Sequence, residues 1–565
     1  MAKSKYDSYT HAQLVEELKK LSKRKKYGLV WEEEKTKEKF EAEAEGKLPV
    51  LVEDKKREIK TDDEKPTHIL IEGDNYHALS VLNYTHAKSI DVIYIDPPYN
   101  TGARDWKYNN DFVDKEDSYR HSKWISMMES RLKLAKRVLK SNGILICAID
   151  DNEFATLSLL LDEIFPSKTK NVVVIMNNPH GVTRSGFSRC HEYAIFVMNQ
   201  GQIVNKKPAP PDNRTINLRR SGNNSLREDS PTMFYPIFVD KKSLKIIGVG
   251  DVPEKKFKAK SQFIDKGKYF EIWPIDSKGV EKNWYYSKKR VEEKGKQELE
   301  CKIVKEQPHI YFKHSNNSEQ TYKSVWIGSE YDAGAYGATM VKKLTNTNFP
   351  FPKSINTVYD CLKAVIKTKD AIILDFFAGS GTTGHAVSLL NKEDDGNRQF
   401  ILCTNNDNSI AEDVTFPRIK AVINGHNDYK EITNIKANLK YYKTNFVGSE
   451  PTHRNKKLLT EKSIEMLCIR ESTFEEVLSK TDISIFKNKT KYTAILFNEM
   501  KMEEFKREIK KLKLATPISV YVFSLEGDNF SEDFEDLRND ITLCSIPEAI
   551  LKVYRRIYEI AKPKK

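Results

Sequence analysis

Short apolar runs alternate with helically spaced apolar residues over residues 67 to about 200. The runs HILI, IDVIYI and ILICAI are each followed closely by acidic residues, and uninterrupted runs of this kind are typical of strands buried on both faces of a parallel sheet. Between two of them, apolar residues recur at helical spacing from Trp124 to Leu139, and Gly143 is the predicted end of that helix. The pattern predicts an α/β, doubly wound fold.

The α/β pattern stops near residue 200 and returns at residues 349–426, where AIILDFFAGSGTTG predicts a strand, a glycine-rich turn and a helix start. The segment between is rich in lysine, asparagine, serine and aromatic residues and has no sustained helical period. It therefore predicts an inserted, mostly β module, and the two flanking α/β blocks are predicted to complete one sheet.

The two ends of the chain differ from this centre. Residues 1–65 are highly charged, with apolar spacing at Leu14, Leu18 and Leu21, and predict an exposed helical arm. Residues 430–565 contain the strand candidates YTAILFN and ISVYVFS around a charged helix, and predict a second, small α/β domain.

Composition adds limits on partners and compartment. The 565 residues carry a formal net charge of +13, which suits a nucleic acid partner but also fits a lysine-rich composition without one. The seven cysteines form no CxxC pair, so neither a zinc site nor a disulfide framework is predicted. The start of the chain has no apolar signal segment and no long apolar stretch follows, so we expect a cytoplasmic protein without a membrane or metal partner.

The tetrapeptide Asp96-Pro97-Pro98-Tyr99 directly follows the run IDVIYI, at a strand end where open α/β sheets bind ligands. The lone pair of an aryl amine is delocalised into its ring. Hydrogen-bond acceptors on the two amine hydrogens pull the nitrogen toward a tetrahedral geometry, which frees the lone pair for methylation. The Asp96 carboxylate and the Pro97 carbonyl are two such acceptors, held in place by the prolines. Tyr99 offers a ring face to an extruded base. A plain strand-terminal turn is the alternative.

The glycine-rich turn at residues 375–383 matches the pattern FxGxG through Phe377, Gly379 and Gly381. Glycines in such a turn let the backbone approach a ligand closely. The turn has neither the spacing of a GxGxxG dinucleotide site nor the lysine of a P-loop. A phosphate-free nucleoside with an amino-acid tail fits better, and S-adenosyl-L-methionine is one.

These two motifs together resemble the amino-methyltransferase family, and their order resembles its permuted β class. DPPYNTG, SGFSRCHEYAIFVM, RRSGNNSLREDSPTMFYPI, FPFPKS and CTNNDN are similar to modification subunits of type III restriction–modification systems over residues 67–430. The resemblance implies a Rossmann-like S-adenosylmethionine-dependent methyltransferase sheet in two parts, residues 66–239 and 346–429. It also implies a target recognition domain at residues 240–345. The resemblance is weaker over residues 430–565, and assembly is our default expectation for that α/β domain because no chemistry is apparent in it.

The same resemblance implies an activity and partners. The chain would methylate adenine at N6 in double-stranded DNA, because aspartate as the first residue of the tetrad favours adenine in this family. It would act as a homodimer and work with a separate restriction subunit that is an ATPase and endonuclease.

The resemblance also assigns residues to the methyl donor. Asp74 would lie near its adenine and Lys353 near its carboxylate. One strand after the glycine turn, Asn406 and Asp407 stand where an acidic group normally meets a ribose hydroxyl, although a polar strand end is an equal alternative. The full predicted set is Asp74, Lys353, Ser354, Asp375, Phe377, Gly379, Ser380, Gly381, Thr382, Asn406 and Asp407.

Basic and aromatic residues are interleaved in the insert, as in KKFKAK and WYYSKKR. That combination suits phosphate contacts together with groove contacts, and the alternative is a small β domain with a lysine-rich exterior. The predicted DNA-binding residues are Asn100, Arg219, Arg220, Arg227, Lys288, Lys289 and Arg290.

Three other functions remain open at this point. The alternatives for this chain are a solitary regulatory methyltransferase, a catalytically silent DNA-specificity subunit and an RNA methyltransferase. Intact Asp96, Tyr99, Gly379 and Gly381 argue against the silent subunit. The long insert fits duplex reading better than RNA.

Overall fold

The computed structural model describes residues 9–22, 29, 31, 32, 36, 38, 46–62, 64–108, 111–183, 186–208, 215–313, 319–450, 452–513, 516–524, 530–537 and 540–558. It divides into two compact units. The first consists of Met1–Asn205 and Tyr322–Lys565, and the second is Lys206–Thr321. The second unit is thus one continuous insertion in the chain of the first.

The strands are, in chain order, β1 Lys47–Glu53, β2 Thr67–Glu72, β3 Ile90–Ile95, β4 Ala103–Tyr108, β5 Asp111–Asp114, β6 Leu139–Ile149, β7 Lys168–Ile175, β8 Glu192–Asn199, β9 Lys206–Pro208, β10 Thr215–Asn217, β11 Ile237–Asp240, β12 Ile246–Val249, β13 Phe263–Asp265, β14 Tyr269–Ile272, β15 Leu299–Val304, β16 Gln307–Lys313, β17 Glu319–Thr321, β18 Val325–Trp326, β19 Ile372–Asp375, β20 Gln399–Thr404, β21 Asn438–Gly448, β22 Glu475–Ser479, β23 Ile483–Lys487, β24 Tyr492–Leu496, β25 Ile518–Phe523 and β26 Ile541–Ile546.

The α-helices are α1 His11–Ser22, α2 Asn75–Thr85, α3 Arg120–Val138, α4 Phe154–Ile164, α5 Lys288–Glu298, α6 Thr339–Thr345, α7 Ile355–Val365, α8 Thr382–Asp394, α9 Phe416–Asn424, α10 His453–Glu461, α11 Ile464–Glu471, α12 Met502–Lys510 and α13 Glu548–Tyr558. None of the helices within the described residues is long and apolar enough to cross a membrane.

The first unit is organised around a ten-stranded sheet in the order β1-β21-β2-β20-β19-β3-β6-β8-β7-β18. The strands from β21 to β6 in this order are parallel to one another. Strand β1 runs antiparallel to β21, and β8 runs antiparallel to both β6 and β7. Strand β19 lies between β20 and β3, with Leu374 opposite Ile93. The predicted α/β fold, with both sequence blocks in a single sheet, is confirmed.

Helices cover both faces of this sheet, which is why its central strands are apolar on both sides. One hydrophobic cluster includes Leu79 of α2, Trp124 of α3 and Leu160 of α4. The cluster on the other face includes Val358 of α7, Val387 of α8 and Ile419 of α9.

The carboxyl ends of β2, β20, β19 and β3 lie side by side at one edge of the sheet because these strands are parallel neighbours. Asp74, Asn406, Asp375 and Asp96 stand at or just after these four strand ends. Residues that are far apart in the sequence therefore share one edge, where open α/β sheets bind their ligands.

The prediction of an exposed helical arm over residues 1–65 is wrong for its last part. Helix α1 is present, but β1 is an edge strand that pairs with β21 along its whole length. Leu48, Val50 and Leu51 are buried against the core. Burial of a short apolar run beside an open sheet edge stabilises the fold by more than the ordering of its charged neighbours costs. The many charged residues around this run make the strand difficult to predict from the sequence.

The prediction that Gly143 ends a helix is also wrong. Helix α3 ends at Val138, and β6 begins at the next residue and contains Gly143. A Cβ at this position would lie 3.0 Å from the carbonyl oxygen of Ile90 in β3. Gly143 is therefore needed where two strands approach closely.

The inserted unit is mostly β, as predicted. It contains the sheets β10-β16-β15, β12-β11-β14-β13 and β17-β9, around a core with Tyr235, Ile237 and Trp284. Helix α5 was not predicted from the sequence. The compact unit also begins and ends earlier than the predicted segment 240–345, because β10 belongs to its sheet and β18 pairs with β7 of the first unit.

The C-terminal region forms the predicted small α/β layer, with a five-stranded sheet in the order β22-β23-β24-β25-β26. The predicted segment 430–565 starts too early, because β21 belongs to the large sheet. Helix α13 packs on α2, and the Tyr554 hydroxyl donates to the Pro49 carbonyl in β1. The apolar stripe of the last helix is thus part of the core.

The position of β1 in the core can be tested with Leu51→Ala. Because Leu51 is fully buried, the free energy of unfolding should fall by roughly 2–5 kcal/mol. Lys47→Ala, at the exposed start of the same strand, should change it by less than about 0.5 kcal/mol. Urea unfolding measures both, and equal small effects would mean that residues 47–53 are an exposed arm after all.

Candidate active site

The Asp96–Tyr99 loop leaves β3 at the carboxyl edge of the sheet and is fixed by α3. The indole nitrogen of buried Trp124 donates to the Pro98 carbonyl at 2.7 Å. Pro97 and Pro98 restrict the backbone on either side of this contact. The loop is therefore rigid before any ligand arrives.

Asn100, which the sequence predicts as a DNA contact, is fully buried in the structure. Its amide nitrogen donates to Glu153 Oε1 at 2.5 Å, and its amide oxygen accepts from Trp106 Nε1 at 3.0 Å. Its φ of +55° turns the chain sharply after Tyr99. The structure gives Asn100 a supporting role beneath the loop instead of a surface contact.

Within the described residues, the Asp96 carboxylate uses only one of its two oxygens. Lys353 Nζ lies 2.8 Å from Asp96 Oδ2, while Oδ1 is buried and has no hydrogen-bond partner among the described residues. An orphaned buried acceptor costs free energy unless a donor reaches it. Oδ1 is therefore available to an amine hydrogen of a ligand.

Glu192, which the sequence analysis missed, completes this group. It opens β8, is 2% exposed, and its Oε2 accepts from Tyr99 OH at 3.1 Å and from Asn177 Nδ2 at 3.0 Å. Lys353 Nζ lies 3.3 Å from the same oxygen. The signal in the sequence is a glutamate at the start of the apolar run EYAIFVM.

The charges in this group stabilise one another. Burial alone would lower the pKa of Lys353, but the Asp96 and Glu192 carboxylates raise it well above its usual value. Burial raises the pKa of Glu192, and the Lys353 ammonium opposes that rise. Burial and the two carboxylates hold the pKa of Tyr99 far above its usual value, so Tyr99 stays a neutral phenol.

Lys353 also lies over the aromatic ring of Tyr99, with Nζ 4.7 Å from the ring centroid. The resemblance implies a place for Lys353 near the donor carboxylate. The structure instead places its ammonium against Asp96, next to the ring on which a base is expected to stack. The side chain of Lys353 thus lies on the amine side of the cleft.

The glycine turn that follows β19 depends on two residues with left-handed φ. Gly379 has φ +47° and Gly381 has φ +77°. A Cβ on Gly379 would lie 3.3 Å from the Phe349 ring, and the turn therefore has little room for a side chain. The backbone of this turn is open to close approach by a ligand.

Asp375 closes the turn from below. Its Oδ1 accepts from Phe377 N at 2.9 Å and its Oδ2 accepts from Thr383 Oγ1 at 2.5 Å. Burial raises the pKa of Asp375 to about 7, while these two hydrogen bonds oppose the rise. Both oxygens are engaged, so Asp375 shapes the turn and does not face a ligand.

Arg418, on α9, supports the turn from inside and is a second residue that the sequence analysis missed. Its guanidinium is fully buried and donates to Ser380 Oγ at 3.0 Å and to Thr382 Oγ1 at 2.7 Å. Burial lowers its pKa to about 9. Arg418 therefore places a positive charge under the glycine turn, and no local motif in the sequence marks it.

Asp74 and its neighbour join the end of β2 to the glycine turn. Asp74 caps α2 by accepting from Tyr76 N at 2.8 Å, and Arg131 Nη2 lies 3.3 Å from Asp74 Oδ2. Asn75 Nδ2 donates to the Phe376 carbonyl at 2.9 Å. The structure thus brings Asp74 to the edge that carries the glycine turn.

The remaining predicted donor residues lie on the two sides of this edge. Asn406 follows β20, and its amide oxygen accepts from Glu412 N at 3.3 Å. Asp407 begins a single turn of helix directly after it. Ser354 precedes α7, is buried, and donates to the Glu330 carbonyl at 2.9 Å, so it positions the Lys353 backbone and does not point to a ligand.

Two of the predicted DNA-binding arginines in the inserted unit are used internally. Arg227 donates to the Phe257 carbonyl at 2.6 Å and to Glu281 Oε2 at 3.0 Å. Arg219 donates to the Ile275 carbonyl. Both arginines stabilise loops of this unit, so fewer of their N–H donors remain for a phosphate.

The other predicted cations of this unit are nearer its surface. The Arg220 guanidinium lies 5.1 Å from the centroid of the Tyr285 ring. Lys288 pairs with Asp251 at 2.5 Å, and Arg290 pairs with Glu298 at 2.9 Å. Lys289 is 83% exposed, which makes it the most accessible of the predicted cations.

Comparison with known proteins identifies the family of this chain. The sequence matches the family described as DNA methylase over residues 90–434. It is 32% identical over 355 residues to the type II methyltransferase M.KpnI from Klebsiella pneumoniae, covering 59% of this chain and 79% of that protein.

Two type III restriction-modification enzyme Mod subunits are also similar. The EcoPI Mod subunit from Escherichia phage P1 is 29% identical over 398 residues, 62% of this chain and 59% of that protein. The EcoP15I Mod subunit from Escherichia coli is 24% identical over 418 residues, 62% of this chain and 60% of that protein. The match spans less than two thirds of the length of either subunit.

The chain belongs to the DNA methylase family, and its methyl donor is S-adenosylmethionine. The site fits this donor. The two glycines of the turn lack side chains, and together with the polar ends of β2 and β20 they form an open cradle for a nucleoside. Asp96 Oδ1 stands beside it as an acceptor with no partner among the described residues. The donor supplies an electrophilic methyl group, and the residues around Asp96 are equipped to hold the amine that receives it.

The role of Glu192 can be tested with Glu192→Gln. Without its negative charge, Lys353 should bind Asp96 more strongly and compete with the ligand amine for the carboxylate. We expect kcat to fall about tenfold or more, which corresponds to about 1.4 kcal/mol, while the Kd for S-adenosylmethionine stays within about twofold.

Steady-state kinetics and calorimetry measure the two quantities. Glu163→Gln, which removes an exposed carboxylate on α4, is the matched control and should behave as the wild type. An unchanged kcat in Glu192→Gln would show that Glu192 has no part in positioning Lys353 and Tyr99.

Proposed function

We propose that this chain methylates adenine at N6 in double-stranded DNA, at a specific site, as the modification subunit of a type III restriction–modification system. It acts in the cytoplasm as a homodimer and works with a separate restriction subunit. The observation that carries the proposal is the buried Asp96 Oδ1, which has no hydrogen-bond partner in the described part of the chain and lies at the strand end beside the glycine turn.

The residues around Asp96 suit an aryl amine. Asp96 Oδ1 and the Pro97 carbonyl accept the two amine hydrogens, which moves the nitrogen toward a tetrahedral geometry and localises its lone pair. Lys353 holds the other Asp96 oxygen in place. The developing positive charge on nitrogen is stabilised by the nearby carboxylates, and the extra proton leaves late, to water or to Asp96.

Base extrusion follows from the position of the loop. An amine inside a duplex cannot reach a strand-end cleft, so the target base must leave the stack, and the Tyr99 ring then offers it a stacking partner. Aspartate at the first position of the tetrad favours adenine by resemblance to the family.

The inserted unit is the proposed target recognition domain. Its exposed Lys289 and the stacked Arg220–Tyr285 pair suit contacts to phosphates and to the groove. Such a unit between the two halves of the sheet fits the order of motifs in the family.

The named relatives support two assemblies. The similarity to Mod subunits favours a type III system, and the similarity to the type II methyltransferase M.KpnI keeps a solitary methyltransferase as the alternative. A reading frame for a helicase–nuclease beside this gene would favour the type III system. The absence of such a reading frame would favour the solitary methyltransferase.

The activity is tested by expressing wild-type protein or Asp96→Ala in a bacterial host without DNA methylation and sequencing its DNA by a single-molecule method. We expect N6-methyladenine on one strand of a short asymmetric site with the wild type and no modification with the variant. The variant should keep its fold and bind S-adenosylmethionine within about threefold of the wild type, because Asp96 acts mainly in the transition state.

Methylation of cytosine, or an active Asp96→Ala variant, would contradict the proposal. Loss of folding together with activity in the variant would count against a chemical role for Asp96. Circular dichroism and calorimetry on the purified variant distinguish these cases.

A further inference from the structure

Two aromatic rings at the carboxyl edge of the large sheet project into solvent. Phe187 is fully exposed and Phe351 is 90% exposed, and they are the most exposed large apolar side chains among the described residues. Phe187 lies in the loop between β7 and β8, and Phe351 lies just before α7. A single exposed apolar side chain is common on protein surfaces, so the attachment and conformation of each ring decide whether it has a function.

Phe351 sits midway along a segment that is attached at both ends to the active site. At one end, the Phe349 ring packs against Gly379 of the glycine turn. At the other end, Lys353 Nζ contacts Asp96 at 2.8 Å. Two residues span at most about 7 Å when fully extended. The backbone of Phe351 therefore lies within about 7 Å of the backbones of Phe349 and Lys353.

The backbone of this segment is packed as well as attached. A Cβ on Gly337 would lie 2.5 Å from the Pro352 carbonyl oxygen and 3.1 Å from that of Lys353. This close approach fixes the chain directly after Phe351. The ring therefore projects from a rigid base and not from a loose loop.

The conformation of Phe351 is unfavourable in two respects. Its φ is +53°, in the left-handed region that a residue with a bulky side chain rarely adopts. Pro350 and Pro352 flank it and further restrict the backbone. Strain of this kind persists where the surrounding structure enforces it, and it is concentrated at functional sites. Here the strain holds an apolar ring in water beside the catalytic cleft.

We propose that Phe351 inserts into the DNA base stack at the place that the target base leaves. The inference rests on the proposed function, because a gap in the stack exists only if a base is extruded. Extrusion costs unstacking and unpairing energy, and an inserted apolar side chain offsets part of it by covering the faces of the neighbouring bases. An exposed, rigidly held ring on the segment that joins the glycine turn to Asp96 has the chemistry and the position for this role.

Phe351 is chosen over Phe187 because its segment contacts the Asp96 loop directly. Phe351 is two positions before Lys353, whose ammonium contacts Asp96. The loop that carries Phe187 is held by Arg189, which pairs with Asp150 just beyond β6. Phe187→Ala is therefore a useful comparison, with a smaller expected effect.

The test compares two duplexes that carry the methylation site found by sequencing. In one duplex the target adenine is paired with thymine, and in the other it faces an abasic site, which removes the pairing. For Phe351→Ala we expect kcat/KM to fall about tenfold or more on the paired duplex and to stay within about threefold of the wild type on the abasic duplex. Phe351→Trp, with a larger ring, should retain activity on both.

Met500→Ala is the matched control, because Met500 is 89% exposed and lies in the C-terminal α/β layer. It should match the wild type on both duplexes. Binding of S-adenosylmethionine without DNA, measured by calorimetry, should be unchanged in Phe351→Ala.

Three results would overturn the inference. These are wild-type activity of Phe351→Ala on the paired duplex, an equal loss on both duplexes, and weaker donor binding without DNA, which would mean that the ring covers the donor. If the wild type methylates neither duplex, the proposed function itself fails, and that result is distinct from the other three.

Discussion

Parallel pairing between β3 and β19 is the constraint on which the whole site depends. Leu374 lies opposite Ile93, so the two strands end at the same edge of the sheet. Asp96 and the glycine turn after Asp375 are therefore neighbours, although a complete inserted unit separates them in the chain. Backbone hydrogen bonds set this geometry, and the inserted unit can vary without moving the two strand ends.

The second constraint is electrostatic. A carboxylate that must accept from an amine has to be held firmly, yet one of its oxygens must stay unused. Lys353 meets both needs by taking only Asp96 Oδ2, and Glu192 shares the same ammonium. Buried charges are costly unless they are paired, so loss of any one partner affects the others. This coupling explains how Lys353 governs the amine side of the cleft.

Much of this arrangement is predictable from the sequence, because the central strands are apolar on both faces and both motifs directly follow such strands. The strand at residues 47–53 was missed because charged neighbours dominate its surroundings. Glu192 and Arg418 act through contacts with residues far away in the chain, and no local pattern marks them. Gly143 was assigned to a helix end because its true constraint, close approach to β3, is also non-local.

The most direct test is a crystal structure of the protein with S-adenosylhomocysteine, the product of the methyl donor. We predict that the ligand lies at the carboxyl ends of β19, β20 and β2. It should contact the protein backbone of the Gly379–Gly381 turn, and its sulfur should face Asp96. A ligand bound at another edge of the sheet, or with its sulfur turned away from Asp96, would contradict the central claim that the two strand-end loops form one active site.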